Sequence, residues 1–187
     1  MKNIVIISGH PSLENSTANQ LILNQVQAAL PNVQVRDLGK LYPDFQIDVA
    51  AEQAALAAAD VIVWQFPFYW YSVPALMKKW IDDVLTYGFA YGSDGDKLHG
   101  KLLIVSLTAG GDAQGYSKGG HEGREIGEFF HQFEATAHLC GMDFQAPVYA
   151  YAMHYIPGVS SEEDLARIQT AAKQHAQALV KQINDLA

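Results

Sequence analysis

The sequence predicts an α/β fold, a doubly wound five-stranded parallel sheet with the strand order 2-1-3-4-5. Short apolar, β-branched runs alternate along the chain with segments whose apolar residues recur every three or four positions. Such alternation is typical of parallel sheets covered by helices on both faces and joined by right-handed crossovers. With 187 residues, 49% of them hydrophobic, we expect one packed domain over residues 1–187.

Apolar runs and turn residues define the elements. Four runs predict strands buried on both faces, at residues 3–8, 61–66, 101–107 and 144–150. A fifth run, at residues 34–37, is shorter and more polar. Helical periodicity predicts helices at residues 16–30, 49–59, 74–86, 124–140 and 162–186. Pro74 suits a first helical turn, Gly141 a C-terminal cap, and Ser160 or Ser161 an N-cap.

Composition excludes several classes of function. A net charge of −8 gives no general basis for binding nucleic acid, because that binding needs basic groups that displace counterions from phosphates. The single cysteine, Cys140, excludes an internal disulfide framework and a cysteine-rich zinc site. The N-terminal apolar run is far shorter than that of a signal peptide, and no run approaches the ~20 apolar residues of a membrane span. We therefore expect a cytoplasmic protein.

The segment after the first strand, residues 8–19, has the features of an anion site. It opens a helix, so main-chain N–H groups and the positive end of the helix dipole face whatever lies in the loop. Ser16, Thr17 and Asn19 supply neutral donors, and His10 adds a charge-assisted one. The spacing matches neither a dinucleotide fingerprint nor a P-loop. The alternative is that Ser16 is simply an N-cap.

The segment after the third strand, residues 65–74, carries five aromatic residues within six positions. Pro67 and Pro74 bracket it, so that neither a strand nor a helix continues through it. A stretch of this kind offers a flat apolar wall for a planar heteroaromatic ligand. The alternative is a buried aromatic cluster with no ligand.

The segment after the fourth strand begins with Thr108-Ala109-Gly110-Gly111 and opens the longest irregular stretch, residues 108–123. Paired glycines permit close backbone approach to a ligand, and their N–H groups are donors toward developing negative charge. They also simply make turns. Because the three segments follow strands of one parallel sheet, we expect them to meet at one edge, beyond the carboxyl ends of the strands.

These motifs together resemble the flavodoxin-like NAD(P)H quinone oxidoreductases of the DT-diaphorase type, especially the small bacterial members. The resemblance spans nearly the whole chain. It rests on four ordered motifs: Gly9-His10-Pro11 with Ser16 and Asn19; Phe66-Pro67-Phe68-Tyr69-Trp70-Tyr71 followed by residues 73–78; Gly88-Phe89-Ala90-Tyr91; and Thr108-Ala109-Gly110-Gly111. The small bacterial members include quinone and nitro-compound reductases and the ancillary flavoproteins of glutathione-gated potassium efflux.

The resemblance implies a bound flavin that passes two electrons from NAD(P)H to a quinone-like acceptor by a ping-pong mechanism. By this resemblance, the phosphate would be held by His10, Ser16, Thr17, Ala18 and Asn19. The isoalloxazine would lie along Pro67, Phe68, Tyr69, Trp70 and Tyr71. Its pyrimidine edge would be covered by Thr108, Ala109, Gly110 and Gly111. We expect FMN, because larger members with FAD carry further C-terminal elements. FAD is the alternative.

The resemblance also implies two catalytic residues. Tyr116 aligns with a tyrosine that lies close to the flavin and assists proton or charge transfer, so the resemblance implies that Tyr116 also contacts the cofactor. His121 is the nearest histidine to pair with it. His121 lies about one position from the family register, and a solvated loop histidine is the alternative. His131 and His138 lack metal-ligand spacing, while His99 and His175 are predicted to be exposed. We infer no metal site.

Phe89 and Tyr91 would contact the acceptor from a loop that in the family leans over it, often across a two-fold interface. We therefore expect a homodimer, and the alternative is packing of both rings within one chain. Two other functional classes remain. One is a regulatory flavoprotein subunit of a potassium-efflux antiporter at the membrane. The other is a one-electron flavodoxin carrier. This class is less favoured, because the aromatic wall suits the binding of two successive aromatic substrates.

Overall fold

The sheet is parallel throughout and has the strand order that the sequence predicts. The structure is a computed structural model that describes residues 2–186; Met1 and Ala187, the ends of the predicted domain, lie outside the described residues. The strands are β1 (Ile4–Ser8), β2 (Gln34–Asp37), β3 (Val61–Pro67), β4 (Leu102–Thr108), β5 (Asp143–Phe144) and β6 (Val148–Ala150). They lie in the order β2-β1-β3-β4-β5, and β6 also pairs with β4.

The predicted fifth strand, residues 144–150, was wrong as a single element. It is divided into β5, which pairs with Leu102–Leu103, and β6, which pairs with residues 106–108 of β4. Pro147 lies between the two parts, and proline has no N–H to donate to a neighbouring strand. The edge of the sheet is therefore interrupted, and β6 carries the chain to the same end of the sheet as β4.

Six helices cover the sheet within the described residues: α1 (Thr17–Ala29), α2 (Leu38–Leu41), α3 (Val49–Ala58), α4 (Ala75–Val84), α5 (His131–Leu139) and α6 (Glu162–Leu186). Ser161 is the N-cap of α6, since its Oγ accepts the Asp164 N–H at 3.1 Å. Gly141, at φ 67°, follows α5 in the conformation that glycine favours. Two 3₁₀ turns, Leu13–Asn15 and Ile126–Phe130, complete the set.

The helices differ from the prediction at three places. The helix expected at 124–140 is α-helical only over α5, because a capping box of Glu125 and Glu128 starts a 3₁₀ turn there instead. The short helix α2 was not predicted; the Asp37 carboxylate accepts the Lys40 N–H at its start. Pro74 precedes α4 as its N-cap rather than lying in its first turn.

Side chains of the strands alternate between two hydrophobic clusters, one on each face of the sheet. In β1, Val5 and Ile7 belong to the cluster that α3, α4 and α5 cover, whereas Ile6 belongs to the cluster under α1 and α6. Trp80 of α4 is fully buried on the first face, as is Ile22 of α1 on the second. This packing fixes the start of α1 beside the carboxyl ends of the central strands.

A buried carboxylate joins β2, α3 and α4 on the first face. Glu52 is fully buried and pairs with Arg36, while the Tyr42 hydroxyl donates to it at 2.6 Å and Trp80 Nε1 at 2.9 Å. Burial and this carboxylate raise the pKa of Tyr42 to about 12. Removal of one partner from such a buried ion pair destabilises a fold by roughly 3–5 kcal/mol, because the other charge stays buried.

His175 is buried, against the expectation that it is exposed; only 4% of its surface is accessible, whereas His99 is exposed as predicted. It lies on the stripe of α6 that packs on the sheet, at helical spacing from Ile168, Ala172 and Leu179. Burial lowers the pKa of His175 to about 4, since the charged imidazolium loses its hydration there.

We predict that this histidine alone removes about 2 kcal/mol of the free energy of unfolding between about pH 7.5 and pH 5. The unfolded chain, with an ordinary histidine pKa of 6.5, takes up a proton that the folded chain does not. The contribution of His175 to the free energy of unfolding is therefore fully present well above pH 6.5 and is lost as the pH drops toward 4. Urea unfolding at both pH values should show a smaller loss for His175→Phe than for the wild type.

His131→Gln, which removes an exposed histidine, is the matched control and should lose as much stability as the wild type. Equal pH dependence of the wild type and His175→Phe would contradict the assignment.

Candidate functional site

A cleft of about 390 Å³ lies at the carboxyl ends of β1, β3 and β4. Residues from all three predicted segments line it, together with others from the segment after β6. Its lining is His10, Asn15, Ser16, Thr17, Ala18, Asn19, Pro67, Phe68, Tyr69, Thr108, Ala109, Gly110, Met153, His154 and Tyr155. Among the described residues, no carboxylate borders the cleft, although the chain has a net charge of −8.

The N-terminus of α1 supplies main-chain donors to the cleft. Ser16 is the N-cap, and its Oγ accepts the Asn19 N–H at 3.1 Å. The first intrahelical bond runs from Gln20 N to Ser16 O, so the N–H groups of Thr17 and Ala18 precede the helical ladder. Ser16 is therefore both a cap and a cleft residue, and the two interpretations of this segment are compatible.

The side-chain amide of Asn19 connects α1 to β3 and β4. Its Nδ2 donates to Ser16 Oγ at 3.2 Å and to Thr108 Oγ1 at 3.1 Å. Its Oδ1 accepts from Gln65 Nε2 at 2.9 Å. All four residues are buried, so these bonds hold the first and third segments in a fixed relation.

His10 contributes a neutral donor and not the charge-assisted donor that the sequence predicts. Its Nδ1 accepts the Ser12 N–H at 3.1 Å, which places the ring proton on Nε2. Burial lowers the pKa of His10, and the charge of Glu14 only partly opposes that effect. The ring packs edge-on against Tyr69, with centroids 6.3 Å apart. The imidazole thus has a fixed orientation and an N–H group to offer an anion.

The aromatic segment leaves β3 through a strained turn. Phe68 N donates to Thr108 O at 2.9 Å, and Tyr69 and Ser72 form an isolated bridge across the turn. Trp70 and Tyr71 have φ values of 49° and 62°, which lie in a region of backbone conformation that residues other than glycine rarely adopt. Strain of about 1–3 kcal/mol per residue persists only where the surroundings impose it, and it concentrates at functional sites.

This turn divides the predicted aromatic wall. Pro67, Phe68 and Tyr69 line the cleft, whereas Trp70 and Tyr71 lie beyond its lining. The Trp70 side chain is 93% exposed, and Tyr71 stacks on Phe129 with ring centroids 5.5 Å apart.

The glycine turn after β4 is tied to the segment after β6. Ala109 N donates to Ala150 O at 2.8 Å, and Ala152 N donates to Gly111 O at 2.8 Å. Gly110 lines the cleft. Gly111 lies beneath Tyr116, where an added Cβ would come within 3.0 Å of the ring. Glycine therefore permits the close approach of Tyr116, whose ring would have to shift by a few tenths of an ångström to make room for a side chain here.

Tyr116 is buried in an aromatic cluster next to the cleft. Its ring centroid lies 6.3 Å from that of Phe68, 6.1 Å from that of Phe129 and 5.8 Å from that of Tyr151. Burial, followed by the negative charge of Glu122, raises the pKa of Tyr116 to about 12. The phenol is consequently protonated at neutral pH.

The charged group that faces Tyr116 is Glu122. Its Oε1 lies 3.6 Å from the position of a Cβ on Gly111, and its hydrogen bond with the Tyr71 hydroxyl raises the pKa of that tyrosine. His121, the predicted partner, is exposed on the same loop. Glu122 is not among the residues predicted from the sequence, because only a histidine was expected as the partner of Tyr116.

Phe89 and Tyr91 are half-buried against the hydrophobic cluster of the first face, outside the cleft lining. Tyr91 also contacts Tyr87 edge-on at 5.9 Å. Both side chains therefore find part of their packing within the chain and remain partly accessible.

Met153, His154 and Tyr155 also line the cleft, although none of them was predicted from the sequence. The sequence contains the signal for their position, because the segment after the last parallel strand begins at the same edge of the sheet as the other three segments. Only the segments after the first, third and fourth strands were considered.

Comparison with known proteins identifies the family. Residues 2–178 match the sequence model of a protein family whose description is "Flavodoxin-like fold". The chain belongs to this family. Both the predicted fold and the resemblance to quinone oxidoreductases and potassium-efflux ancillary proteins are confirmed.

Three relatives of this flavodoxin-like protein are informative. The glutathione-regulated potassium-efflux system ancillary protein KefF of Salmonella typhimurium is 48% identical over 151 residues, 81% of this chain and 82% of that protein. The general stress protein 14 of Treponema denticola, solved in complex with FMN, is 33% identical with a TM-score of 0.83, covering 97% and 98% of the two chains. An NADPH-quinone reductase from P. pentosaceus is 28% identical with a TM-score of 0.70, covering 94% and 98%.

A second groove of about 390 Å³ lies between α1 and α6 of this flavodoxin-like protein. Its lining consists of helix side chains alone, among them Gln25, Val180 and Lys181, and no strand end reaches it. It therefore lacks the main-chain donors that the strand-end cleft has. Within the described part of the chain, no helix combines the length and apolar character that a membrane crossing requires.

Proposed function

We propose that this protein is an FMN-dependent oxidoreductase that transfers two electrons, as hydride, from NAD(P)H to quinones or similar electrophilic aromatics. The observation that carries the proposal is the cleft itself. It joins a donor-rich, carboxylate-free helix N-terminus to an apolar wall at one edge of the sheet. The similarity to a protein solved with FMN and to an NADPH-quinone reductase supports the cofactor and the reaction.

The donor set fits a phosphate group. The main-chain N–H groups of Thr17 and Ala18, the Ser16 hydroxyl, the Asn19 amide that orients it, and His10 Nε2 would bind the phosphate without a buried positive charge. Neutral donors at a helix N-terminus suit a dianion in an acidic protein.

The ring would lie along Pro67, Phe68 and Tyr69, with Trp70 and Tyr71 at the rim, and the turn of residues 108–111 would face its pyrimidine edge. Bound flavin supplies the hydride chemistry. The chain contributes main-chain donors from the glycine turn where negative charge develops, while Phe68 excludes water from the cleft. Tyr116, protonated at neutral pH, would hold a proton near the acceptor, with Glu122 or His121 as its polar partner.

We also propose that two copies associate through the surface around Trp70, Phe89 and Tyr91. Trp70 is 93% exposed, and Tyr87 and Tyr149 add exposed aromatic surface. In such a homodimer Phe89 and Tyr91 would contact the acceptor, and the protein would act in the cytoplasm.

A regulatory role is the second candidate, favoured by the 48% identity to an ancillary protein of a potassium-efflux system. In that role the protein would dock on the cytoplasmic face of a membrane antiporter. Co-purification with the antiporter and altered potassium efflux on deletion would favour this role, whereas rapid turnover of free quinone by the isolated protein would favour the metabolic one.

The reaction is tested by mixing the FMN-loaded protein with NADH or NADPH and a benzoquinone. We predict nicotinamide oxidation that depends on FMN and gives parallel double-reciprocal plots. Tyr116→Phe should slow acceptor reduction about tenfold or more, since a positioned proton donor is lost, and should weaken FMN binding much less. Tyr42→Phe, which removes a buried hydroxyl outside the cleft, is the control. Failure with both nicotinamides would remove the reductase assignment.

The phosphate site is tested by Asn19→Asp. We predict that FMN affinity falls by about 3 kcal/mol, roughly a hundredfold in Kd, because a carboxylate replaces a neutral amide next to the phosphate. Asn24→Asp, exposed on the same helix, makes the same change of charge away from the cleft. Fluorescence titration with FMN measures both variants, and equal affinities would place the phosphate elsewhere.

A further inference from the structure

A buried chain of hydrogen bonds connects α6 to the anion-binding end of the cleft. His175 Nε2 lies 2.7 Å from Ser106 Oγ, and Ser106 donates to Gln65 Oε1. Gln65 Nε2 donates to Asn19 Oδ1 at 2.9 Å, and Asn19 Nδ2 donates to Ser16 Oγ at 3.2 Å. His175 is therefore linked by three successive hydrogen bonds to Asn19 and by a fourth to Ser16, both of which line the cleft, although His175 itself lies outside that lining.

Such a chain can run in two directions, because each hydroxyl and each amide both donates and accepts. If His175 Nε2 donates, every link donates toward the cleft, and the Asn19 NH₂ group faces Ser16. If His175 Nε2 accepts, both amides are reversed, and the Asn19 carbonyl oxygen faces Ser16. Only the first direction matches the bonds in the structure.

The direction decides what Ser16 offers a ligand. In the first direction, Ser16 Oγ accepts from both the main-chain N–H and the side-chain NH₂ of Asn19, at 3.1 and 3.2 Å. Both of its lone pairs are then used, so its hydrogen is donated outward, into the cleft. In the second direction, the hydrogen of Ser16 is drawn to Asn19, and a lone pair faces the cleft. A phosphate accepts hydrogen bonds, so its binding requires the first direction, in which Ser16 donates into the cleft.

The surroundings of His175 favour the first direction. Among the described residues, Nδ1 of His175 is buried with no hydrogen-bond partner. A buried N–H without a partner is less tolerated than a bare acceptor, so the ring proton belongs on Nε2, where Ser106 accepts it. Burial of the ring keeps it neutral at neutral pH.

We propose that His175 is a positioning residue for the phosphate site: its Nε2–H sets the direction of the Ser106–Gln65–Asn19 chain, so that Ser16 donates to the anion. The inference rests on the proposed binding of FMN at this end of the cleft. His175 acts through three other side chains and touches neither cofactor nor substrate.

The test compares Kd for FMN with Kd for riboflavin, which has the same ring but no phosphate. We expect the wild type to prefer FMN and His175→Phe to lower that preference about tenfold, mainly through weaker FMN binding. His175→Gln should recover most of the preference, since its amide can donate from near the position of Nε2. Leu179→Ala, one turn further along the buried stripe of α6, should destabilise the fold without changing the preference.

The tautomer is read directly in the wild-type protein by ¹⁵N NMR of the imidazole, which does not depend on any variant folding. A proton on Nε2 supports the inference, and a proton on Nδ1 overturns it. An unchanged FMN preference in folded His175→Phe also overturns it while leaving the proposed cofactor intact. A wild type that binds riboflavin as tightly as FMN overturns both proposals.

Discussion

The buried amide of Asn19 holds the start of α1 against the ends of β3 and β4, and the candidate site depends on this junction. The amide bonds Ser16, Gln65 and Thr108 at 2.9–3.2 Å. Core packing places the start of α1 beside the strand ends, and these bonds fix its orientation relative to the residues that begin the glycine turn. With them, donors that point at an anion and the wall that packs on a planar ring belong to one rigid edge.

The junction in turn requires the two-faced sheet. Each strand places alternate side chains on opposite faces, so α1 and α6 can be anchored on one face while α3, α4 and α5 cover the other. The polar residues Gln65 and Ser106 interrupt otherwise apolar strands and are fully buried. Their burial is tolerated because each has hydrogen-bond partners, and those partners lead to the cleft. The core and the site are therefore parts of one network.

Much of this was predictable from local sequence. Strand order, the cap at Ser16 and the presence of residues 108–110 in the same cleft as His10 follow from alternation, spacing and the rule that parallel strands end at one edge. Other features depend on tertiary packing. The periodicity of α6 marks His175 as part of a stripe, but its burial becomes evident only once that stripe is placed against the sheet. Likewise, Glu122 and His121 are neighbours in sequence, and the fold of one loop turns Glu122 toward Tyr116.

The most direct test of the account is an amide NMR titration of the protein with FMN. The account predicts that the largest shifts fall on Thr17, Ala18 and Asn19 at one end of the cleft and on Phe68, Tyr69 and Gly110 at the other. Riboflavin should shift the second set and leave the first nearly unchanged. Shifts confined to the groove between α1 and α6, or no shifts at the start of α1, would contradict it.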